Sequence, residues 1–198
     1  MMEENKKITY FSKEYWRKNW KFILINISIF FAILGSLLLI DLLTKEFIFR
    51  WKDKENLIVD TDYQSGNAFI IFKSVLHKGT TIGVFESNLT ILHIISFVIV
   101  FASLWGVTFI KEKKSIVITF FLAMVSAGSL GNMVDRFLFA GVRDIMNFPW
   151  VNQGVLNFAD AWLVLGAVGI LLSITIINLI SHFNHKKEKE KMLENSQI

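Results

Sequence analysis

Four aspartates lie at the ends of long apolar stretches of this sequence or between two of them: Asp41, Asp135, Asp144 and Asp160. An ionisable side chain close to hydrocarbon costs a few kcal/mol, so each is a candidate functional group. A purely structural role explains Asp144 and Asp160 least well. If they meet in a low-dielectric site, they can share one proton, because two close carboxylates cannot both ionise. Such a pair would supply a general base to activate water and a general acid to protonate a leaving amine.

Structural roles are equally open for the other polar groups near these stretches. Asp41 and Lys45 are four residues apart on one helical face, which is the spacing of a plain ion pair. Asn132, Asp135 and Arg136 are spaced so that all three can reach one region. There Asp135 would either orient a neighbour, neutralise Arg136 or cap a helix end.

Asp144 and Asp160 also have structural alternatives. Asp144 follows Gly141 in a connection, so it could belong to a turn or a cap. Asp160 follows Asn157 by three residues, so both polar groups share one helical face. An unpartnered buried carboxylate is destabilising, which favours a site in which the two acids meet.

The elements that must position these groups are long apolar stretches of 19, 22, 20 and 26 residues: 22–40, 89–110, 115–134 and 156–181. A helix of about 20 apolar residues crosses the hydrocarbon core, so the sequence predicts a polytopic membrane protein. Asp160 is the one formal charge within these stretches. Ala123, Ala127 and Gly131 form a small-residue series that lets helices approach closely.

Charge distribution predicts the orientation of the chain. An even number of spans puts both termini on one side, and that side carries 13 Lys and Arg against 8 on the other. By the positive-inside rule, both termini are cytoplasmic and the connections 41–88 and 135–155 face outward. The four aspartates then lie at one level, near the outer leaflet.

The terminal segments are predicted to be peripheral. The basic segment 1–21 places Ile8, Phe11 and Tyr15 on one helical face, which favours an interfacial helix on the inner leaflet over a disordered tail. The charged segment 182–198 is predicted to be a free cytoplasmic tail. The region 22–181 remains for the four spans.

Two regions of the outward connections predict strands. Residues 68–76 are rich in Phe, Ile and Val and follow a turn-like segment at 64–67. A second strand or hairpin is expected around 152–154. The predicted fold is thus an all-α membrane protein, with four transmembrane helices, a small extracytoplasmic β-sheet and an interfacial N-terminal helix.

Composition excludes several classes of function. Because the chain has no cysteine, it has no disulfide, thiolate zinc site or cysteine nucleophile. The net charge of +4 comes from basic residues beside apolar spans, so anionic lipid and topology explain it better than nucleic acid. The first span is too long for a removable signal peptide and lacks a small-residue cleavage site.

Four short motifs occur along the chain: DLLTK at 41–45, GNMVDR at 131–136, GVRD at 141–144 and NFAD at 157–160. Together they resemble the motifs of the lipoprotein signal peptidase (signal peptidase II) family. Residues 131–136 read GNMVDR and resemble its GNxxDR motif, while residues 157–160, NFAD, match its NxAD motif. Residues 141–144, GVRD, resemble the segment with its first catalytic aspartate, and 41–45, DLLTK, resemble its DxxTK motif. The motifs occur in the family's order, and the likeness runs from about residue 22 to 181.

One motif departs from the family pattern. Where the family has an asparagine in N-x-G-x-x-aromatic-Gly, residues 77–83 read HKGTTIG, so His77 replaces the asparagine and Ile82 the aromatic residue. Phe85 could supply the aromatic ring only in an alignment that breaks the glycine match. His77 either donates a similar hydrogen bond or ends a strand. His93, within the second span, is read as a polar packing residue.

The resemblance implies an intramembrane aspartic endopeptidase. Asp144 and Asp160 would form the catalytic dyad, and the segment 46–88 would clamp the substrate. The remaining residues that the likeness assigns to substrate binding or orientation are Asn132, Arg136, Asn157, Asp41, Lys45, Asp135 and His77.

The same likeness implies the partners. The substrates would be prolipoproteins with a diacylglyceryl-modified cysteine, cut on the N-terminal side of that cysteine within the lipid bilayer of the cell membrane. A globomycin-type cyclic peptide would be an inhibitor by likeness only. We expect a monomer with no metal or organic cofactor and no nucleic-acid partner. A proton- or cation-coupled transporter, or an assembly factor, would explain the four spans without this chemistry.

Overall fold

Four long helices and six short strands make up the described part of the chain. The computed structural model describes residues 12–78, 88–110, 116–151 and 154–195. The helices are α1 (Lys13–Ile48), α2 (Leu89–Val107), α3 (Ile116–Phe139) and α4 (Phe158–Asn195). The strands are β1 (Trp51–Asp53), β2 (Ile58–Val59), β3 (Gln64–Gly66), β4 (Ile71–His77), β5 (Val142–Asn147) and β6 (Val155–Leu156). All four helices are long and apolar enough to cross a membrane, which confirms the four predicted spans.

The helices keep much of their apolar surface on the outside of the bundle. Large side chains such as Phe101 on α2 and Leu171 on α4 are more than 60% exposed. Hydrocarbon, unlike water, accommodates such a surface without cost. Helix α3 packs against each of the other three helices and is the most buried of them. Its Ala123 and Ala127 pack against Phe30 and Leu34 of α1, as the small-residue series predicts.

Helix α1 begins further towards the N-terminus than its apolar stretch. Ser12 caps the helix by accepting a hydrogen bond from the Tyr15 N–H, and no glycine or proline interrupts the chain up to Gly35. Residues 13–21 therefore continue into the span instead of forming a separate interfacial helix, and residues 1–11 lie outside the described residues. Tyr15 is 1% exposed and its hydroxyl donates to the Thr108 carbonyl oxygen. It thus packs in the protein and not on the leaflet.

Helix α4 runs past its apolar stretch to Asn195, so the predicted free tail is helical over residues 182–195. Lysine and glutamate are good helix formers, and Lys186 and Glu190 form an exposed pair at 4.0 Å with the i,i+4 spacing. The side chains of residues 182–187 are exposed, and the segment continues the helix of the span.

The strands form a two-stranded sheet, β1–β2, and a four-stranded antiparallel sheet in the order β3–β4–β5–β6. The strand predicted at 68–76 is observed as β4. The turn expected at 64–67 lies slightly later, because residues 64–66 pair as β3 and the Asn67 side chain accepts from the Phe69 and Ile70 N–H groups. Strands β5 and β6 form the second predicted hairpin, whose residues 152–153 lie outside the described part.

The four-stranded sheet lies at the end of the bundle where α3 ends and α4 begins. Strand β5 starts three residues after α3, and β6 ends two residues before α4. Gly141 allows β4 to approach here, since a Cβ at this position would lie 3.1 Å from the His77 carbonyl oxygen. This arrangement brings β5 within hydrogen-bonding distance of Asn157, the residue before α4.

Candidate active site

The first turn of α4 explains the spacing of Asn157 and Asp160. Asn157 precedes the helix, and its Oδ1 accepts a hydrogen bond from the Asp160 N–H at 2.9 Å. In return, Asp160 Oδ2 accepts from the Asn157 N–H at 3.4 Å. This reciprocal arrangement is a capping box, which satisfies N–H groups that a helix start leaves without partners. The local sequence therefore places the Asp160 carboxyl at the N-terminus of α4.

Asp144 meets this helix start from the sheet. It is the third residue of β5, lies opposite Val75 of β4 and is 4% exposed. The amide of Asn157, itself fully buried, donates to Asp144 Oδ1 at 2.7 Å. One asparagine thus hydrogen-bonds to both carboxyl groups, and the structure brings Asp144 and Asp160 together although they are distant in sequence.

The protonation of Asp144 is strongly affected by this environment. Burial raises the pKa of Asp144 to about 8, and the negative charge of Asp160 acts in the same direction. The Asn157 hydrogen bond and the positive charge of Lys45 oppose this rise. Asp144 is therefore protonated at neutral pH, when most exposed aspartates are ionised. A protonated carboxyl beside a second carboxyl is the arrangement expected of an acid–base pair.

Asn132 of α3 links Asp160 to a buried ion cluster. Its amide nitrogen donates to Asp160 Oδ1 at 2.8 Å, and its Oδ1 accepts from Lys45 Nζ at 3.2 Å. The Lys45 ammonium thus orients the Asn132 amide, which in turn holds the second Asp160 oxygen. Both Asp160 oxygens consequently accept hydrogen bonds from N–H groups.

The predicted Asp41–Lys45 ion pair forms the centre of this cluster. Lys45 Nζ lies 2.8 Å from Asp41 Oδ2 and 3.3 Å from Asp135 Oδ2, and all three side chains are fully buried. Asp41 Oδ1 also accepts from the Ala159 N–H at 2.8 Å, so α1 caps the start of α4. Gly131 permits this contact, because a Cβ there would collide with Asp41 Oδ2.

Asp135 has two buried partners. Its carboxylate bonds to Lys45 and to Arg143, which fits the orienting role among the expected alternatives. Both the backbone N–H and the guanidinium of Arg143 donate to it. Arg143 also pairs with Glu46 Oε2 at 2.8 Å. Sequence reasoning missed Arg143 and Glu46 as site residues, although Arg143 stands beside Asp144 in GVRD.

The remaining predicted residues lie around the two carboxyls. Arg136 is half-buried in α3, within electrostatic range of Asp160, Asp135 and Asp144. His77 ends β4 opposite Val142, in agreement with the strand-end interpretation. Residues 79–87, which include the rest of the departing motif and Phe85, lie outside the described residues.

His93 is a packing residue, as predicted. Its ring stacks on Phe137 with centroids 3.9 Å apart and an interplanar angle of 8°. Over the described residues, no group of three or more His, Asp or Glu side chains is arranged to hold a metal ion.

Comparison with known proteins agrees with this fold. The sequence model of signal peptidase II matches residues 33–177. The lipoprotein signal peptidase of Fusobacterium nucleatum is 27% identical over 112 residues, covering 57% of this chain and 68% of that protein. The lipoprotein signal peptidase of Staphylococcus aureus is 26% identical over 153 residues, covering 73% of this chain and 90% of that protein.

Solved structures show the same fold. A bacterial membrane enzyme determined by the in meso method at 2.3 Å resolution has a TM-score of 0.62 at 21% identity, covering 75% of this chain and 88% of that chain. Another, at 1.9 Å resolution, has a TM-score of 0.60 at 20% identity, covering 74% and 92%.

The four apolar helices and the family match define a multi-pass membrane protease. Because the family's model covers most of the sequence, the chain belongs to the signal peptidase II family. The alternatives of a transporter and an assembly factor find no support in these matches.

Proposed function

We propose that this protease removes signal peptides from diacylglyceryl-modified prolipoproteins and cuts on the N-terminal side of the lipidated cysteine. The observation that carries the proposal is the double hydrogen bonding of Asn157 to Asp144 and Asp160 at a helix start. The names of the relatives, lipoprotein signal peptidases, support the substrate class. A substrate with an apolar helix and two acyl chains stays in the bilayer, so water and carboxyls must be supplied at the membrane.

Asp144 and Asp160 are proposed to divide the chemistry between them. Asp144 carries the shared proton, because burial raises its pKa to about 8, and Asp160 acts as the base. Asp160 removes a proton from a water molecule held between the two carboxyls, and the resulting hydroxide attacks the scissile carbonyl carbon. Asp144 protonates the carbonyl oxygen as the tetrahedral intermediate forms. When the C–N bond breaks, the proton on Asp160 passes to the leaving amine of the cysteine, and a hydroxyl proton of the intermediate returns to Asp144.

The neighbouring residues are proposed to orient the dyad and the scissile peptide. Asn132 and Asn157 fix the Asp160 carboxylate, and Arg136 lies where its charge can attract the peptide carbonyl. The buried ion cluster is proposed to hold α1, α3 and the start of α4 together through Asp41, Lys45 and Asp135. His77 is on the same face of the sheet as Asp144, because it pairs with Val142, two residues before Asp144. We propose that His77 contacts the substrate there.

The orientation predicted from charge fits this function. With 13 Lys and Arg on one side and 8 on the other, both termini are proposed to be cytoplasmic. The dyad would then lie near the outer leaflet, where lipidated precursors are exposed. The chain is proposed to act as a monomer, with segment 46–88 over the substrate and with globomycin-type cyclic peptides as inhibitors.

The test is cleavage of a lipidated precursor by the purified protein in micelles, followed by the mass of the products. The expected product begins at the lipidated cysteine, and a precursor without the diacylglyceryl group should remain intact. Asp144→Asn and Asp160→Asn should each abolish turnover. Glu14→Gln is the control, because Glu14 is exposed in the first turn of α1, at the opposite end of that helix from Asp41.

Near-normal turnover by either dyad variant would contradict the role proposed for that residue. Thermal unfolding of both variants in the same micelles should show a folded protein, so that loss of turnover reports chemistry. Cleavage at another peptide bond, or equal cleavage of the unlipidated precursor, would contradict the proposed substrate class.

A further inference from the structure

Arg143 makes an unusually complete set of contacts for a residue that performs no acid–base chemistry. It is 3% exposed, and its backbone N–H donates to Asp135 Oδ2 at 2.9 Å. Its Nε and Nη2 donate to Asp135 Oδ1 at 3.1 and 2.9 Å, and its Nη1 donates to Glu46 Oε2 at 2.8 Å. The guanidinium also lies over the Phe139 ring, 4.5 Å from its centroid. Its planar fork suits several fixed acceptors, unlike an ammonium group.

These contacts join three elements immediately before Asp144. Glu46 is on α1, Asp135 is on α3, and Arg143 is the second residue of β5. Because side chains alternate along a strand, the Arg143 side chain points to the opposite face from Asp144. Arg143 therefore acts on Asp144 through the backbone.

The segment between Asp135 and Arg143 contains a strained turn, so its end must be held in place by contacts. Ala140 has a φ of 51°, a left-handed conformation that is unfavourable for a non-glycine residue. A residue is held in that conformation only where its surroundings determine it. Here the Ala140 N–H bonds to the Arg136 carbonyl oxygen before the turn, and Arg143 bonds to Asp135 after it. The bonds from Arg143 to Asp135 thus set where β5 begins.

We propose that Arg143 is a positioning residue, which holds the Asp144 carboxyl at its working distance from Asp160 by clamping the start of β5 to Asp135 and Glu46. This inference rests on the dyad proposed above. A buried ion pair adds little net stability over a well-packed apolar substitute, so its main effect here is on geometry. A displacement of about 1 Å at a reacting group can cost about 100-fold in rate.

The experiment compares Arg143→Lys and Arg143→Met with the wild type in the micelle cleavage assay, with kcat and KM measured separately. Arg143→Lys keeps the charge and loses the fork, so it should fold and lose about tenfold in kcat with KM within about twofold. Arg143→Met should lose about 100-fold in kcat. Arg17→Met is the matched control, because Arg17 is exposed near the start of α1, at the opposite end of that helix from Glu46.

Wild-type kcat in Arg143→Lys would overturn the inference. So would a loss of activity in either variant that equals the loss of folded protein measured by thermal unfolding, since that would indicate a merely structural role. If the wild type itself cleaves no lipidated precursor, the proposed function fails instead, so the two failures are distinguishable.

Discussion

Replacing Lys45 by methionine tests the buried ion cluster that joins α1 to α3. Methionine has a similar length, so the change removes the charge without leaving a large cavity. In the structure, Lys45 Nζ lies 2.8 Å from Asp41 and 3.3 Å from Asp135, and all three side chains are fully buried. Removing one partner of a buried pair costs about 3–5 kcal/mol, because the other charge stays buried. Asp135 keeps Arg143 as a partner, so we expect the lower end, about 3 kcal/mol.

The assay is thermal unfolding in detergent micelles. For a chain of this size, about 3 kcal/mol corresponds to a fall in Tm of about 6–12 °C. Lys52→Met is the matched control, since Lys52 and its partner Asp62 are exposed and such pairs contribute about 0–1 kcal/mol. The double variant Asp41→Asn, Lys45→Met should recover part of the loss, because it removes the buried charge left alone.

A Tm for Lys45→Met within about 2 °C of that of Lys52→Met would refute the reasoning. The same conclusion would follow if the double variant were no more stable than the single one.

Three further outcomes are expected. Cleavage should fall as pH rises through about 8, because burial raises the pKa of Asp144 to about 8. The acid form of Asp144 is present below that pH and is lost above it. A constant kcat/KM from pH 6 to 10 would contradict this prediction. Gly131→Ala should lower the free energy of unfolding by about 1–3 kcal/mol, since its Cβ would collide with buried Asp41, whereas Gly35→Ala has open space and should be neutral or slightly stabilising in the same unfolding assay. His77→Asn, which restores the family's residue, should leave kcat/KM unchanged or raise it, and a collapse of activity would indicate a function specific to histidine.

Much of the fold could be predicted because its signals are local. Long apolar stretches with almost no charge give the four spans, and the small-residue series identifies a face of α3 that other helices approach closely. The ends of the helices were less predictable, because polar residues can extend a helix: Tyr15 and the lysine- and glutamate-rich end of α4 are helical beyond the apolar stretches.

The contacts of the site also divide into those that local spacing predicts and those that it does not. Asn157 with Asp160, and Asp41 with Lys45, follow from spacings of three and four residues on one helix. The bond from Arg143 to Asp135 joins a strand to a helix across a turn, so neither the helical nor the strand repeat predicts it. It could not be predicted, since it depends on the left-handed turn at Ala140 that reverses the chain after α3.

By itself, then, the amino-acid order determined which segments cross the bilayer and which polar groups share a helical face, because hydrophobic length and helical repeat act over neighbouring residues. Tertiary structure alone decided that Asp144 reaches Asn157, that Asn132 connects Asp160 to Lys45, and that Arg143 closes on Asp135. Those contacts join residues from separate helices and a strand, and their geometry is set by how closely the helices pack and by the register of β4 with β5.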